Sequence, residues 1–308
     1  MVMSKGGTNT RVTNTGETNT DTLGDGLGMR RIDSLDGRTV EILDVTPALA
    51  NEPGFEAAIR GRAARLGDLA PEGLAMVRRI DRDGASLRVV TDRVEGLRLP
   101  DLLQAAIGAP LRAAAALELA AQVVRTVALL HQKPGLAHGA ITPAHVVITG
   151  DARVVLTDGV FGGALEALRW NREQLWRAFG VAMPASASLP QFDVRSDVTQ
   201  LGATVLTIMM GRLMRTGEYP RPVPDLINAT TATGLAGPDS TFSRLRMWLY
   251  QALQLHPREN FDSAVEAERA FDDVIGVPSS RRAGTLAFPD MRGPRSPEQD
   301  LLPSIRTN

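Results

Sequence analysis

The stretch from His131 to Val160 reads HQKPGLAHGAITPAHVVITGDARVVLTDGV. Two short runs rich in β-branched residues, 146–149 and 154–157, lie on either side of the turn Thr149-Gly150-Asp151. Such runs separated by a glycine-containing turn are typical of a β-hairpin. Polar residues stand on both sides of the hairpin, and their spacing decides the fold prediction.

This spacing resembles the catalytic centre of the protein kinases. In that family LH is followed by H-(R or G)-D-L-K-P-x-N, a short strand, a turn, a second strand and D-F-G. His131, His138, Pro143 and Asp158 stand at the matching positions over these thirty residues. The resemblance implies an α+β, two-lobed protein kinase-like fold, with a small β-rich N-lobe and a larger, mainly α-helical C-lobe.

The residues that perform phosphoryl transfer in that family are replaced here. Ala140 stands at the position of the aspartate that accepts the substrate proton, and Thr142 at that of the lysine two residues later. His145 replaces the asparagine that holds a second magnesium ion, whereas Asp158 keeps the metal-binding carboxylate of D-F-G. We therefore interpret the chain as a degenerate member of the family, a pseudokinase.

Composition limits the other function classes. The chain has 308 residues, a net charge of −1 and no cysteine, which excludes disulfides, thiolate zinc sites and cysteine nucleophiles. The near-zero charge gives no indication of a nucleic-acid partner. We recognise neither a signal-peptide core nor an apolar run approaching about 18 residues, so we expect a cytoplasmic protein without a membrane span. Only Lys5 and Lys133 are lysines, and this bias towards arginine suggests a GC-rich bacterial genome.

The chain divides into four predicted segments. Residues 1–22 are polar and repetitive with no apolar period, so we expect a disordered tail. Residues 23–94 form the N-lobe and residues 95–276 the C-lobe. Residues 277–308 are rich in proline, serine and arginine and are predicted to be a flexible tail.

The N-lobe carries a degraded nucleotide site. Gly24 and Gly26 give the G-x-G of a glycine-rich loop, but Met29 stands at the place of the third glycine. A simple turn cluster explains the two glycines equally well. Leu43 occupies the position of the lysine in V-A-x-K, and Arg62 that of the glutamate that pairs with it. Both partners are lost together, as expected, since a buried carboxylate without its cation would be costly.

Residues 92–94 resemble the hinge that joins the two lobes. Kinases recognise adenine there through backbone groups, so Asp92 and Val94 join Gly24, Gly26 and Asp158 as candidate nucleotide contacts. Asp158 is also the candidate Mg²⁺ ligand, since one carboxylate with phosphates and waters can hold this ion. We expect no cofactor, and ATP with magnesium remains the open alternative.

The C-lobe is predicted to keep its structural residues. The resemblance makes His138 a structural histidine and Asp197 the buried aspartate that braces the catalytic loop. Gln191 and Asn260 replace an ion pair of active relatives and can share a hydrogen bond without charge. Apolar periodicity predicts helices over residues 55–69, 100–107, 110–131, 164–179, 242–255 and 263–275, and a central helix through 198–209.

Residues 164–179 form one predicted amphipathic helix, although active kinases use this region as a loop that docks peptide substrates. Its Trp170 and Trp176 favour packing on the large lobe over a partner-binding surface.

The leading hypothesis is a catalytically inactive pseudokinase that acts as a binding or scaffold module for a protein partner in bacterial signalling. The partner would contact helix 164–179 or tail 277–308. One alternative is a pseudokinase switch that binds nucleotide through Asp158 and the glycine loop. The other is a divergent active phosphotransferase that works through Asp158 or Asp151.

Overall fold

A computed structural model describes residues 25–69, 71–106, 111–133, 136–186, 188–232, 239–256 and 258–276. The predicted tails 1–22 and 277–308 lie outside these ranges, as does Gly24.

The small lobe contains a four-stranded antiparallel sheet with the order β1-β2-β4-β3. Its strands are β1 (Gly28–Leu35), β2 (Arg38–Val45), β3 (Val77–Asp83) and β4 (Ser86–Asp92). The turn between β1 and β2 is Asp36-Gly37, and both residues have positive φ angles of 51° and 76°. This conformation is typical of the two-residue Asp-Gly hairpin, so the local sequence explains how the lobe begins.

Two helices complete the small lobe, α1 (Pro47–Ala50) and α2 (Phe55–Leu69). The bounds of α2 are those that its apolar period predicts. Phe55, Ile59, Arg62 and Leu66 are its buried residues, and they follow one face of the helix. Arg62 is therefore directed into the protein rather than into solvent, which matters for the site described below.

The large lobe is mainly helical. Its elements are β5 (Gly96–Arg98), α3 (Leu99–Ala105), α4 (Ala113–His131), β6 (Val146–Thr149), β7 (Val154–Leu156), α5 (Gly162–Ala167), α6 (Arg172–Phe179), α7 (Val194–Met210), α8 (Val223–Ala232), α9 (Asp239–Ala252) and α10 (Ala264–Ile275). The predicted α+β fold with a small β-rich lobe and a larger helical lobe is confirmed.

Helix α7 is the centre of the large lobe. Every residue from Ser196 to Met209 is buried, and α4, α9 and α10 pack around the helix. Asp193 caps its N-terminus by accepting hydrogen bonds from the backbone N–H groups of Arg195 (3.0 Å) and Ser196 (2.9 Å). Gly211 ends it in the left-handed conformation. Helix α7 positions the side chains that hold the loop before β6.

Helix α4 corrects one expectation from composition. With 19 residues and a mean hydropathy of 1.6, it is long and apolar enough to cross a membrane, alone among the helices of the described residues. The expectation that no apolar run reaches this length is therefore wrong. Contacts with α7 and α10 and a largely buried surface identify α4 as a core helix of the large lobe.

Two further predictions about helices need correction. Residues 164–179 form two helices, α5 and α6, because Arg169 has a φ of 55° and Asn171 begins a new helix. Asn171 and Gln174 form a reciprocal capping box, a local interaction that competes with continuation of the helix. Helix α8 was not predicted, because prolines at 220, 222 and 224 conceal it, although proline is compatible with a first helical turn.

Candidate functional site between the two lobes

Asp197 on α7 holds the loop that precedes β6. Its carboxylate is fully buried and accepts hydrogen bonds from the backbone N–H groups of His138 (2.5 Å) and Gly139 (2.6 Å). His131 lies 2.9 Å away through Nε2. Because His131 Nδ1 accepts from the N–H of Ala264 (3.0 Å), its Nε2 carries the proton and donates to Asp197. Asp197 therefore accepts three hydrogen bonds, and two of them hold the loop in place.

Gln200, one turn further along α7, supports the same loop. Its Oε1 accepts from the N–H of Ile141 (2.7 Å), and its Nε2 donates to the carbonyl of Gly139 (3.3 Å). Between these anchored residues, the methyl group of Ala140 is fully buried and offers no proton acceptor. The loop keeps its shape without the side chain that would act as a base.

Two buried histidines flank this loop, and their hydrogen bonds define their tautomers. His138 Nδ1 accepts from the N–H of Ala140 (3.2 Å), so its Nε2 donates to the carbonyl of Thr157 (3.0 Å). His145 Nδ1 donates to the carbonyl of Ala140 (2.6 Å), which leaves Nε2 as a lone pair 3.9 Å from an oxygen of Asp158. Burial lowers the pKa of His138 to about 4 and also lowers that of His145, so both are neutral at pH 7.

Asp158, the surviving metal-binding position, is buried and has a φ of 65°. Few residues other than glycine adopt this conformation, and aspartate is among them. Its Oδ2 accepts from the hydroxyl of Thr157 (2.6 Å). Arg30, on β1 of the small lobe, places Nη1 and Nη2 each 3.1 Å from one of its two oxygens. The Nη1 contact is a charge-assisted hydrogen bond and the Nη2 contact is an ion pair.

Arg30 is held by two more carboxylates. Asp25 lies 3.0 Å from Nε and 2.8 Å from Nη2, and Glu41 lies 3.0 Å from Nη1. With the two contacts to Asp158, the guanidinium has five nitrogen–oxygen contacts, equal to its number of N–H donors. Four of these contacts are hydrogen bonds and the fifth, from Nη2 to Asp158, is an ion-pair contact, so a phosphate group would have to compete with three carboxylates for Arg30.

Arg98 on β5 extends this cluster to the other lobe. It pairs with Glu41 and donates to the carbonyl of Ala144 (2.5 Å) and to the hydroxyl of Thr157 (3.3 Å). We call Asp25, Arg30, Glu41, Arg98 and Asp158 the interlobe ion cluster. Its three carboxylates and two guanidinium groups come from both lobes, so the cluster joins them.

Electrostatics within the interlobe ion cluster favour the charged forms. Burial alone would raise the pKa of Asp158, but the charge of Arg30, with smaller help from Arg98 and the Thr157 hydroxyl, holds it well below its usual range. Burial would likewise lower the pKa of Arg30, but the carboxylates of Asp158, Asp25 and Glu41 raise it above its ordinary value. The pair stays ionised at every physiological pH.

Arg62 forms a second connection between the lobes. It stands where the resemblance would place a glutamate, and it donates through Nε to the carbonyl of Gly159 (3.2 Å) and through Nη2 to that of Ala137. Burial lowers the pKa of Arg62, and the neighbouring Arg65 adds to this effect. Leu43, at the missing lysine position, is buried in the core directly opposite Arg30 in the sheet register.

Gly26 does not form an open phosphate cradle. Its φ is 62°, and a side chain there would place Cβ 1.9 Å from the carbonyl oxygen of Ala178 on α6. The residue must be glycine because the chain before β1 lies directly against this helix. The prediction that Gly26 is a nucleotide contact has this competing structural explanation, and Gly24 lies outside the described residues.

Two backbone N–H groups of the hinge already donate hydrogen bonds within the protein. Asp92 N–H donates to the carbonyl of Met76 (3.0 Å), and Arg93 N–H donates weakly to that of Thr39 (3.3 Å). The Asp92 carboxylate pairs with Arg78 at 2.5 Å. Val94 is half-buried and is the one remaining hinge position of the sequence prediction.

Helix α6 covers the loop from Ile141 to Pro143. The space between them is a cavity of about 30 Å³, room for about one water molecule. Trp176 and Phe179 line it from α6 and Thr142 from the loop. Trp176 is buried and donates through Nε1 to the carbonyl of Thr216 (3.0 Å), as expected for a core residue.

Solved structures of one protein share this architecture. The crystal structure of the Mycobacterium tuberculosis PknI kinase domain is 20% identical and superposes with a TM-score of 0.59, over 83% of this chain and 94% of that chain. A second PknI kinase-domain structure gives 0.56 at 20% identity, over 82% and 93%. A cysteine-to-alanine mutant of the same domain gives 0.56 at 22% identity, over 83% and 94%. The chain has a protein kinase fold. No family model and no curated protein matches it.

A kinase fold implies magnesium and ATP, and the residues at this position do not fit them. Magnesium requires oxygen ligands in near-octahedral geometry. Both oxygens of Asp158 are already in contact with Arg30 or Thr157. His145, which has a nitrogen donor, stands at the position where a kinase holds the second metal ion. The described residues contain no group of three or more side chains that could hold a metal ion. Asp158 therefore keeps the metal-binding carboxylate of the fold with an arginine beside it instead of a metal.

Two other sequence predictions have different outcomes. Gln191 and Asn260 are both exposed and share no hydrogen bond. With its amide oriented to satisfy its neighbours, Asn260 instead donates locally to the carbonyls of His256 (3.3 Å) and Glu259 (3.2 Å). The proposed amide pair is therefore wrong.

Asp151 lies on the exposed turn between β6 and β7 and pairs with Arg153 at 2.7 Å.

Sequence reasoning missed Arg30, Glu41 and Arg98. One signal was present: Glu41 stands at the alanine of V-A-x-K, two residues before Leu43 on the same face of β2. A charged residue on the inward face of a strand requires a partner. That requirement predicts a nearby arginine without saying which one.

Proposed function

We propose that this protein is a pseudokinase, a binding or scaffold module for a protein partner in bacterial signalling, and that it does not transfer phosphate. The observation that carries the proposal is the paired contact of Arg30 with Asp158. An internal cation occupies the side of the carboxylate that a kinase uses for metal and phosphate.

The replaced side chains support the same proposal. Phosphoryl transfer relies on positioning and on neutralisation of charge by several groups that act together. Ala140 supplies no base, and loss of a general base alone reduces a rate by about 10²–10⁴. Leu43 and Arg62 replace the lysine and glutamate pair, so no pair of opposite charges holds α2 to β2.

Contacts between the lobes support a scaffold role. The interlobe ion cluster and Arg62 connect the small lobe to the segment 157–159 and to the loop before β6. These contacts hold the two lobes together with no need for a nucleotide between them. We propose the exposed side of α6 as the surface for the partner, with the segment 277–308, which lies outside the described residues, as the alternative.

A thermal-shift titration of the full chain with ATP, with and without Mg²⁺, tests this proposal. A ligand that binds the folded state raises its apparent stability by RT ln(1 + [L]/Kd), so even a weak site is visible at about 1 mM nucleotide. We expect no shift in either condition. A Mg²⁺-dependent shift that Asp158→Ala abolishes would show that nucleotide is bound through the kinase position.

Incubation with labelled ATP separates the remaining alternative. We expect no label on the protein, on a generic peptide or in released phosphate. Arg30→Met is the informative companion variant, since it removes the guanidinium from Asp158 and leaves a side chain of similar length. Nucleotide binding by Arg30→Met but not by the parent would show that Arg30 is the blocking group, whereas turnover by the parent would contradict the proposal.

A further inference from the structure

Strand β1 forms one edge of the small-lobe sheet. All eight of its residues pair with β2 in an uninterrupted register, and no strand pairs with its other side among the described residues. An edge strand presents alternate N–H and C=O groups that can pair with another strand. Proteins protect such an edge with a proline, a bulge, a short length or charged side chains; β1 has no proline and no bulge, but three of its eight residues, Arg30, Arg31 and Asp33, are charged.

Two large apolar side chains of β1 are exposed to solvent. Met29 is 79% exposed and Ile32 57%, the two highest values among the exposed large hydrophobic residues. Arg31 and Asp33 stand beside Ile32, with side chains 46% and 50% exposed. Met29 and Ile32 lie on opposite faces of the strand, so each face of this edge presents one exposed apolar side chain. Arg31 and Asp33 pair with each other within the chain at 2.8 Å, and both remain partly exposed.

The sequence of β1 is complementary to itself. If a second copy runs antiparallel with the two-fold axis at Ile32, then Met29 faces Leu35, Arg31 faces Asp33, and Ile32 faces its own symmetry mate. Each contact other than the central one occurs twice, since the symmetry is two-fold. Cross-strand apolar pairs and opposite charges are the combinations that stabilise a sheet.

Neighbouring registers are disfavoured by the same residues. An axis at Arg31 would place two arginines opposite each other, and an axis at Asp33 would do so with two aspartates. Like charges directly opposite destabilise a pair of strands. Charge therefore selects the register centred on Ile32.

We propose that two copies of this chain associate through β1, joining their four-stranded sheets into one continuous sheet across a two-fold axis at Ile32. The occupant is a second copy because the matching charges and apolar residues lie within the same strand. This interface does not involve Asp158 or α6, so it stands independently of the proposed function.

A pair of charge variants tests the interface by light scattering after size exclusion, over roughly a hundredfold range of protein concentration. The parent chain should be a dimer. Asp33→Arg alone and Arg31→Asp alone should each be monomeric, since each places like charges opposite one another twice. An equimolar mixture of the two variants should form a heterodimer, because each then supplies the charge that the other lacks.

Cysteine cross-linking tests the register. Because the parent chain has no cysteine, only the introduced residue can form a disulfide. Under a mild oxidant, Ile32→Cys should form a disulfide-linked dimer, since residues facing each other across strands lie within disulfide reach. Met29→Cys is the matched control. It is more exposed, but it would lie about 20 Å from its symmetry mate, six residues along the strand.

The following results would overturn the proposal. The first is a parent chain that remains monomeric at the highest concentration, which would leave the edge to residues 1–24 or to solvent. The second is cross-linking of Met29→Cys as fast as that of Ile32→Cys, which would indicate random collision. Failure of the two charge variants to associate when mixed would exclude the Arg31–Asp33 contact.

Discussion

Asp197 and Asp158 are both buried carboxylates close to the loop that precedes β6, yet they have different kinds of partners. Asp197 accepts from two backbone N–H groups and a neutral histidine. Asp158 is paired with the side chain of Arg30. Two of the three partners of Asp197 are backbone groups of the fold, whereas the partners of Asp158, Arg30 and Thr157, are side chains that a substitution can exchange.

The difference separates what the kinase fold requires from what phosphoryl transfer requires. Buried backbone groups must be paired in any sequence that folds this way, so the acceptor at Asp197 is needed with or without catalysis. A buried charge needs only some opposite charge nearby. Arginine meets that need at Asp158, so this pair stabilises the fold independently of phosphoryl transfer.

The same substitution at the two aspartates gives the sharpest comparison, and Asp197→Asn should have the largest effect of all. An amide at this position directs its NH₂ group at backbone donors, so at least one of the N–H groups of His138 and Gly139 loses its acceptor. We expect a loss of about 4 kcal/mol in the free energy of unfolding, measured by urea denaturation. Asp262→Asn, at an exposed partner of Arg195, is the control and should change little.

Arg62→Glu restores the residue type that a kinase carries at this position on α2. In this protein the change should destabilise by about 3 kcal/mol, since a buried carboxylate would then face the carbonyl oxygens of Ala137 and Gly159. Urea denaturation measures the loss. Arg62→Met is the control, because an apolar side chain of similar size leaves no buried charge and should cost less. An equal loss in both variants would show that the length of the side chain matters rather than its charge.

Acid should destabilise the protein through the histidines beside the loop. The pKa of His138 is about 4 in the folded state and 6.5 ordinarily. Between these pH values His138 is protonated in the unfolded chain and neutral in the folded chain. Stability is therefore complete above about pH 6.5 and falls as the pH drops towards 4, with a loss of about 2 kcal/mol by pH 5.

Urea denaturation at several pH values between 7 and 4.5 measures this slope. His138→Gln should flatten it in part, since the pKa of His145 is lowered in the same direction. His256→Gln, at a histidine that accepts from the backbone N–H of Glu259 (2.9 Å) rather than from this loop, is the matched control. A parent protein with the same stability at pH 7 and pH 5 would contradict the neutral tautomers assigned here.

Local patterns explain which features the sequence predicts. The bounds of α2 and the hairpin β6–β7 depend on neighbours within a few residues, and both were predicted. The break between α5 and α6 also had a local signal, the capping box of Asn171 and Gln174, which the apolar period concealed. Within the site, the position of Asp197 followed from spacing alone.

The interlobe ion cluster could not be predicted, because its members are distant in sequence. Arg30 and Asp158 are 128 positions apart, and no periodic pattern reports a single side chain that crosses between two lobes. The chain has 34 basic residues, nearly all arginines, so composition does not indicate which one approaches Asp158. The Gln191–Asn260 pair was wrong for the opposite reason, since spacing placed two exposed amides together without any contact to hold them.

Asp158→Asn should have the smallest effect, although Asp158 is as buried as Asp197. The amide removes a buried charge and therefore its desolvation cost, while Arg30 keeps the carboxylates of Asp25 and Glu41. We expect a loss of about 1 kcal/mol by urea denaturation, close to the net value of one hydrogen bond. If Asp158→Asn costs as much as Asp197→Asn, then the pair of Arg30 and Asp158 is as essential to the fold as the loop brace, and the contrast between the two sites fails.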